Sequence, residues 1–446
     1  MQEVRPGSTA DDGRQMIVAL VAAAVLSGPQ LTRLSNGIPV IVHQRPDSLS
    51  VTLQALVRLD DLNPAELAEA EVVAGALFGE TDSFSLQEFQ RLAWSIGGNV
   101  SAEVSGDCLR VEVTTVKSHL HPAISFLTDA LRRPTFNRGA LEDGHRYRDR
   151  LHTFISQNPP FLGVRSLLAS LSAGPAYVRQ VSAGRAKALH QRYVRPERMA
   201  VAVVGDVAPE SIATALSSLG GWTPDLPGRM TLAKGEKWGS ADRFDSSIVA
   251  ARGPKAGASD FPAWMTYCAT VAQGKGSAIS KEFRDKRGWS YIQGVVFSFR
   301  AAESLAAFYV SYSYAADTKA RTAELAAFLK SLTIDESAVN RAKAFLAGRY
   351  AVGRSESAMR LGAFTHGHIA PNEQAFWSAW WELKGAELGM DARFPELVKA
   401  ITLDDVRNAA KKSAETFHPF SDTAKLTKLR ASKFGDSYAP DGIYTY

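Results

Sequence analysis

Between Phe283 and Tyr291 the chain reads Phe-Arg-Asp-Lys-Arg-Gly-Trp-Ser-Tyr, which puts a guanidinium, Arg284, seven residues before a phenol, Tyr291. A guanidinium donates in a fixed fork to a carbonyl or carboxylate, and a phenol hydroxyl can hold a developing oxyanion. Such a pair could grip a peptide and stabilise a tetrahedral intermediate. The same residues also read as a solvated helix end followed by an ordinary strand aromatic. Other reactive groups are scattered. His119-Leu120-His121 and His366-Gly367-His368 are i,i+2 pairs, which point apart on a helix and suit surface or capping roles better than a metal. There is no Gly-x-Ser-x-Gly elbow or comparable nucleophile motif. Cys108 and Cys268 each lie in an apolar stretch and read as buried free thiols.

The elements that must position these groups fall into two similar halves. In the first, Asn36-Gly37 makes a turn inside Leu31–His43 before a short strand. Ser50 to Leu59 then alternates apolar and polar residues, the pattern of a half-buried strand. Leu67, Ala70, Ala74, Leu77 and Phe78 recur at helical spacing over 65–78. A helix is expected over 85–96, two strands between Asn99 and Val116 around Gly106-Asp107, and helices over 119–132, 139–156 and 160–171. Met199 to Val204 is an apolar strand; Pro196 breaks the helix before it, and Gly205-Asp206 turns the chain into the next helix. Glycines and prolines crowd the stretch from Gly220 to Gly239, which reads as a linker. The plan then repeats. A strand over 246–251, a helix over 260–272 and a glycine-opened helix over 275–284 lead to strands over 291–300 and 305–313. Helices are expected over 317–331, 336–352, 355–368, 372–385 and 403–412. Strands followed by runs of helices, twice over, predict two α+β domains.

Several of these segments carry a resemblance to the pitrilysin/insulinase (M16) metallopeptidases. Ala76-Leu77-Phe78-Gly79-Glu80-Thr81 is similar to the Met-Leu-Phe-x-Gly-Thr-like run that follows the family's H-x-x-E-H motif. Tyr193-Val194-Arg195-Pro196-Glu197-Arg198-Met199 with Gly205-Asp206-Val207 resembles the Y-x-R-P-x-x-M…G-D-V segment closing the family's first domain. Residues 283–291 resemble the R-E-x-x-G-L-A-Y segment of its second domain. The resemblance spans roughly residues 31 to 415. It implies two homologous domains, each a mainly antiparallel sheet with packed helices, forming half of a clamshell around a peptide chamber.

The resemblance also shows what has been replaced. H-x-x-E-H sets two imidazoles at i and i+4 on one helix face, with the Glu as general base. Here Glu71 stands at the first His, Ala74 at the base and Gly75 at the second His. The family's third ligand, a Glu on a later helix, aligns with Arg150, whose guanidinium stays protonated and cannot coordinate a cation. Zinc takes three protein ligands in such sites, so these positions imply no metal in this subunit. The expectation is an ion pair between Glu71 and Arg150 in the place of the metal, with Arg146 and Arg148 as rival partners of Glu71. Arg284 and Tyr291 keep the positions that, in active relatives, hold the substrate backbone near the metal. In bacterial M16 heterodimers these duties are split between two subunits, one bearing zinc and the other the Arg/Tyr pair.

Two functions follow as expectations. In the first, the chain is the non-zinc subunit of a heterodimeric zinc peptidase, inactive alone, with zinc in its sibling and an unfolded peptide as substrate. In the second, it is a non-catalytic structural or peptide-binding scaffold. Composition does not oppose either: 45% hydrophobic and 22% charged residues describe an ordinary globular protein. Net charge is +5, but the densest basic stretch, Lys281 to Arg287, is interrupted by acids, unlike the stripe of a nucleic-acid binder. Met16 to Leu26 is an 11-residue apolar run that fits a secretory h-region and is too short to span a bilayer. It points to a periplasmic protein; the other reading is an N-terminal helix of a cytoplasmic one. The resulting division is an N-terminal segment over 1–28, a first domain over 29–222, a linker over 223–240, a second domain over 241–430 and a tail over 431–446.

Overall fold

A computed structural model describes residues 28–46, 48–95, 97–105, 107–157, 167, 180–224, 246–312, 317–353 and 373–420. The expected signal at Met16–Leu26, nearly all of the helix over 160–171, the helix over 355–368, most of the linker, His366 and His368, and the tail lie outside these residues.

The first half is built on strands β1 (Gln30–Arg33), β2 (Pro39–Gln44), β3 (Ser50–Arg58), β4 (Asn99–Ser105), β5 (Cys108–Val116) and β6 (Met199–Gly205). They form one sheet in the order β1-β2-β6-β3-β5-β4, antiparallel throughout except where β6 runs parallel to β2. Helices α1 (Pro64–Ala76), α2 (Leu86–Ser95), α3 (Leu120–Arg132), α4 (Arg138–Gln157) and α5 (Ala183–Tyr193) belong to this half. The period-2 pattern of β3 sends Val51, Leu53, Ala55 and Val57 into a core shared with α1 and α3. Helix α1 starts where Asn63 accepts from the Ala65 and Glu66 amides and Glu66 reaches back to the Asn63 amide, a complete capping box with Pro64 in the first turn. It is anchored laterally by Glu69, whose buried carboxylate takes both arms of Arg185 on α5, at 2.8 and 2.7 Å.

The second half carries strands β7 (Ser246–Gly253), β8 (Ile292–Phe299), β9 (Ser304–Ser311) and β10 (His418–Phe420), an antiparallel sheet in the order β10-β7-β9-β8. Its helices are α6 (Phe261–Ala272), α7 (Thr318–Ser331), α8 (Glu336–Gly353), α9 (Glu373–Leu383), α10 (Met390–Ala400) and α11 (Leu403–Ala414). The architecture is α+β, as expected. Among the elements that escape the sequence reading are β10, only three residues long, and α10, which carries Pro395 inside it. A proline within a periodic segment normally argues a break.

The halves share a core. Helix α9 lies on β6, β3 and β2, and its Trp377, Trp380 and Trp381 pack in one cluster with Leu56, Ala200, Ala202 and Val204 of the first sheet. This explains why β6 reads as an unbroken apolar run: both of its faces are covered. A buried polar seam runs beside the tryptophans. Lys384 Nζ bonds Asp60 Oδ2 at 3.0 Å and also Asp107, which accepts from Trp380 Nε1 at 3.2 Å. Burial pushes the Asp107 carboxyl up; burial also opposes charge on Lys384, but Asp107 and Asp60 outweigh it and hold the ammonium's pKa above its ordinary value.

His190, on α5, is buried with Nε2 3.0 Å from the Leu131 carbonyl. Burial lowers its pKa from 6.5 to about 4. A base whose folded pKa is depressed must take up a proton on unfolding, so its stabilisation is complete above pH 6.5 and is lost as pH falls toward 4. The shift is worth about 3 kcal/mol. Urea unfolding at pH 7 and pH 4 should show the parent losing about that much more stability than His190→Gln; equal losses would contradict the assignment.

Candidate functional site

Two places matter, and the first is the corner where α1 meets α4. Glu71 is buried, and its Oε2 lies 2.9 Å from His152 Nε2, itself buried. The expected pairing with Arg150 does not occur, because Arg150 is exposed. On α4, residues 148 and 152 are one turn apart and share a face, whereas 150 lies between them on the other side. Arg148, one of the rivals named above, is buried and bonds Asp149 Oδ1 at 2.8 Å. The group of α4 that meets Glu71 is thus His152, two residues beyond the Arg150 expected there. Glu71→Ala should cost about 3 kcal/mol, the scale for stripping one member from a buried polar pair. Glu71→Gln, which keeps an acceptor in place, should lose less. A loss under about 1 kcal/mol for Glu71→Ala in urea unfolding would show that the pair does not hold the helices.

The rest of the corner is closed by backbone. A Cβ placed on Gly75 would lie 2.7 Å from Tyr147 Cβ and 2.9 Å from Gly144 Cα. One on Gly144 would run into the Val72 carbonyl, and one on Gly79 into Ala140. Gly75 on α1 and Gly79 in the turn just after it thus face Gly144 and Ala140 on α4, two pairs at i,i+4 spacing that bring the backbones together. This signal was present in the sequence and was missed. Next to it, His145 Nε2 accepts the Val181 amide at 3.1 Å; burial, then Arg148, lower its pKa. Zinc takes three protein ligands, and the corner offers Glu71 and His152 with no room at Gly75 for a third. Among the described residues, no three His, Cys, Asp or Glu side chains gather around one point. The residues here do not fit a zinc ion.

The second place is the start of β8. The chain reaches it through a seven-residue π-helix, Ser280–Lys286, in place of the expected α-helix over 275–284. π-turns are rare and recur at functional sites. Gly288 follows at φ 62°, a left-handed conformation that favours glycine. Behind the turn, Trp289 is sandwiched between Arg287 and Arg321, at 4.7 and 4.6 Å from the ring centroid. Arg287 in turn bonds Glu282 at 2.9 Å and Glu324 at 2.5 Å. On this base stand the two residues singled out at the start. Arg284 Cζ lies 5.5 Å from the Tyr291 ring centroid, so the turn brings them together. Tyr291 is 82% exposed and Ile292 58%. Among the described residues Arg284 has no carboxylate partner, and β8 is an edge strand. The exposed Tyr291 and the partly buried Arg284 thus stand together at the start of a strand that, among the described residues, is the edge of its sheet.

Comparison with known proteins bears on the fold. Residues 180–346 match the family described as peptidase M16 inactive domain. Among solved structures, the fold is similar to a peptidase M16 inactive domain from Pseudomonas fluorescens, with a TM-score of 0.67 at 15% identity over 87% of this chain and 96% of that one. It is also similar to a protease from Helicobacter pylori, with a TM-score of 0.62 at 14% identity over 87% and 96% of the two chains. A third, a conserved protein from Enterococcus faecalis V583, gives 0.62 at 13% identity over 88% and 97%. No curated protein sequence matches significantly. Residues 180–346 are thus similar to the peptidase M16 inactive domain, and the chain as a whole shares the fold of these solved structures.

Proposed function

We propose that this chain is the non-zinc subunit of a two-chain M16 peptidase and supplies Arg284 and Tyr291 in trans to a peptide held near its sibling's zinc. The observation that carries this reading is the coupling of loss and retention. The corner that would bind metal is packed shut, while Arg284 lies against the exposed Tyr291 on a braced turn with, among the described residues, no acid to occupy the guanidinium. A structural scaffold has no use for that arrangement. In the closed complex Arg284 would donate to a substrate carbonyl, and the Tyr291 hydroxyl would donate to the oxyanion as the scissile carbonyl becomes tetrahedral. An extended peptide laid along a strand edge gains main-chain hydrogen bonds that tolerate many side chains, so unfolded peptides of varied sequence are the proposed substrates. Met16–Leu26 supports a periplasmic location for the complex.

The test is reconstitution. The purified chain and a zinc-bearing M16 sibling should each be nearly inactive on a flexible peptide and active when mixed, with a heterodimer on gel filtration. A sibling that cleaves equally well without this chain would leave it as a scaffold.

A further inference from the structure

A cavity of about 420 Å³ opens between the two halves, lined by residues of both, with Lys384 and Asp60 of the polar seam among them. Its wall has an excess of positive charge. Arg33 on β1 is paired with Glu382 at 2.9 Å. Lys384 and Arg58 share Asp60, with Arg58 Nε 3.4 Å from Asp60 Oδ1 but making no hydrogen bond although buried. Glu197 is taken by Arg195, at 2.5 Å. Two cations of the wall are left over. Lys255 has no carboxylate partner among the described residues, and Arg300 makes only a 3.4 Å bond to the Leu62 carbonyl. At a seam whose other charges are matched, two uncompensated cations facing one cavity form a field that attracts anions. The volume lies in the range of small-molecule sites.

We infer that this cavity binds a small oxyanion carrying two or more negative charges on phosphate or carboxylate groups, held by Lys255 and Arg300 from the second half and Arg58 from the first. The inference does not depend on the proposed peptidase role. A ligand touching both halves would bind the folded chain and not the unfolded one, so it raises the unfolding temperature with concentration.

The experiment titrates the full chain calorimetrically with pyrophosphate and, separately, with citrate, at an ionic strength held constant with sodium chloride. Saturable binding of at least one is expected; pyrophosphate alone assigns phosphate chemistry, and citrate alone assigns carboxylate chemistry. Lys255→Ala with Arg300→Ala should weaken that binding by roughly tenfold or more, as expected for removing charge-assisted hydrogen bonds. Glu197→Gln, which removes a negative charge from the wall, should tighten it. Absence of saturable binding by both anions overturns the inference. So does binding that neither substitution changes.

Discussion

A chain carrying Glu71→His, Ala74→Glu and Gly75→His, which spells out the family's zinc motif, should bind no stoichiometric zinc and should be less stable than the parent. The loss of metal ligands in this protein is not a matter of three side chains, because the space for them is gone. Gly75 sits where any Cβ would meet Tyr147 Cβ at 2.7 Å and Gly144 Cα at 2.9 Å. Neither neighbour can swing away as a side-chain tip would, so an imidazole there must push α1 and α4 apart. Overpacking a tight core costs about 1–3 kcal/mol and sometimes more, and backbone contact puts Gly75→His at the upper end. Glu71→His adds the loss of the buried bond to His152, about 3 kcal/mol by the argument above. Against a typical total stability of about 5–15 kcal/mol, the triple variant should be at least partly unfolded at moderate urea. Elemental analysis and urea unfolding check both halves of the expectation. One tightly held zinc per chain with unchanged stability would show that the corner is open and merely unliganded.

How legible was this in the sequence? The strands and helices with strong periodicity were. β3 announces itself by alternation, β6 by its unbroken apolar run, and α1 by spacing and its Asn63 cap. Helix α10 was hidden by Pro395, and the π-turn at Ser280–Lys286 was hidden because its residues are good helix formers. At the site, the departure from H-x-x-E-H at Glu71, Ala74 and Gly75 could be read directly. The register of α4 could not. A helix of 20 residues containing four arginines, two histidines and three acids offers many pairings for one buried carboxylate, and a shift of two residues reverses the face. Burial decides between them, and burial depends on the tertiary contact at Gly144. The sharing of a core between the two halves was also invisible, since the tryptophans of α9 look like ordinary apolar spacing until the sheet they cover is known.

The second large effect concerns Arg284 and Tyr291. Removing an oxyanion donor costs about 100- to 1,000-fold in turnover, and removing a substrate clamp raises KM as well. Tyr291 is exposed, and its hydroxyl does not build the core, so Tyr291→Phe should leave folding and assembly intact. Arg284 contributes its stacking on Tyr291, and Arg284→Ala should mainly weaken peptide binding. Trp289, by contrast, braces the turn through Arg287 and Arg321. The measurement that bears most directly on the account is therefore turnover of a flexible peptide by the parent, Tyr291→Phe and Arg284→Ala chains, each reconstituted with the zinc-bearing sibling, with heterodimer formation followed in the same samples. Intact heterodimers are expected in all three, with a fall of about 100-fold or more in kcat for Tyr291→Phe and a raised KM for Arg284→Ala. Parent-level kcat and KM from heterodimers carrying both substitutions would contradict that expectation.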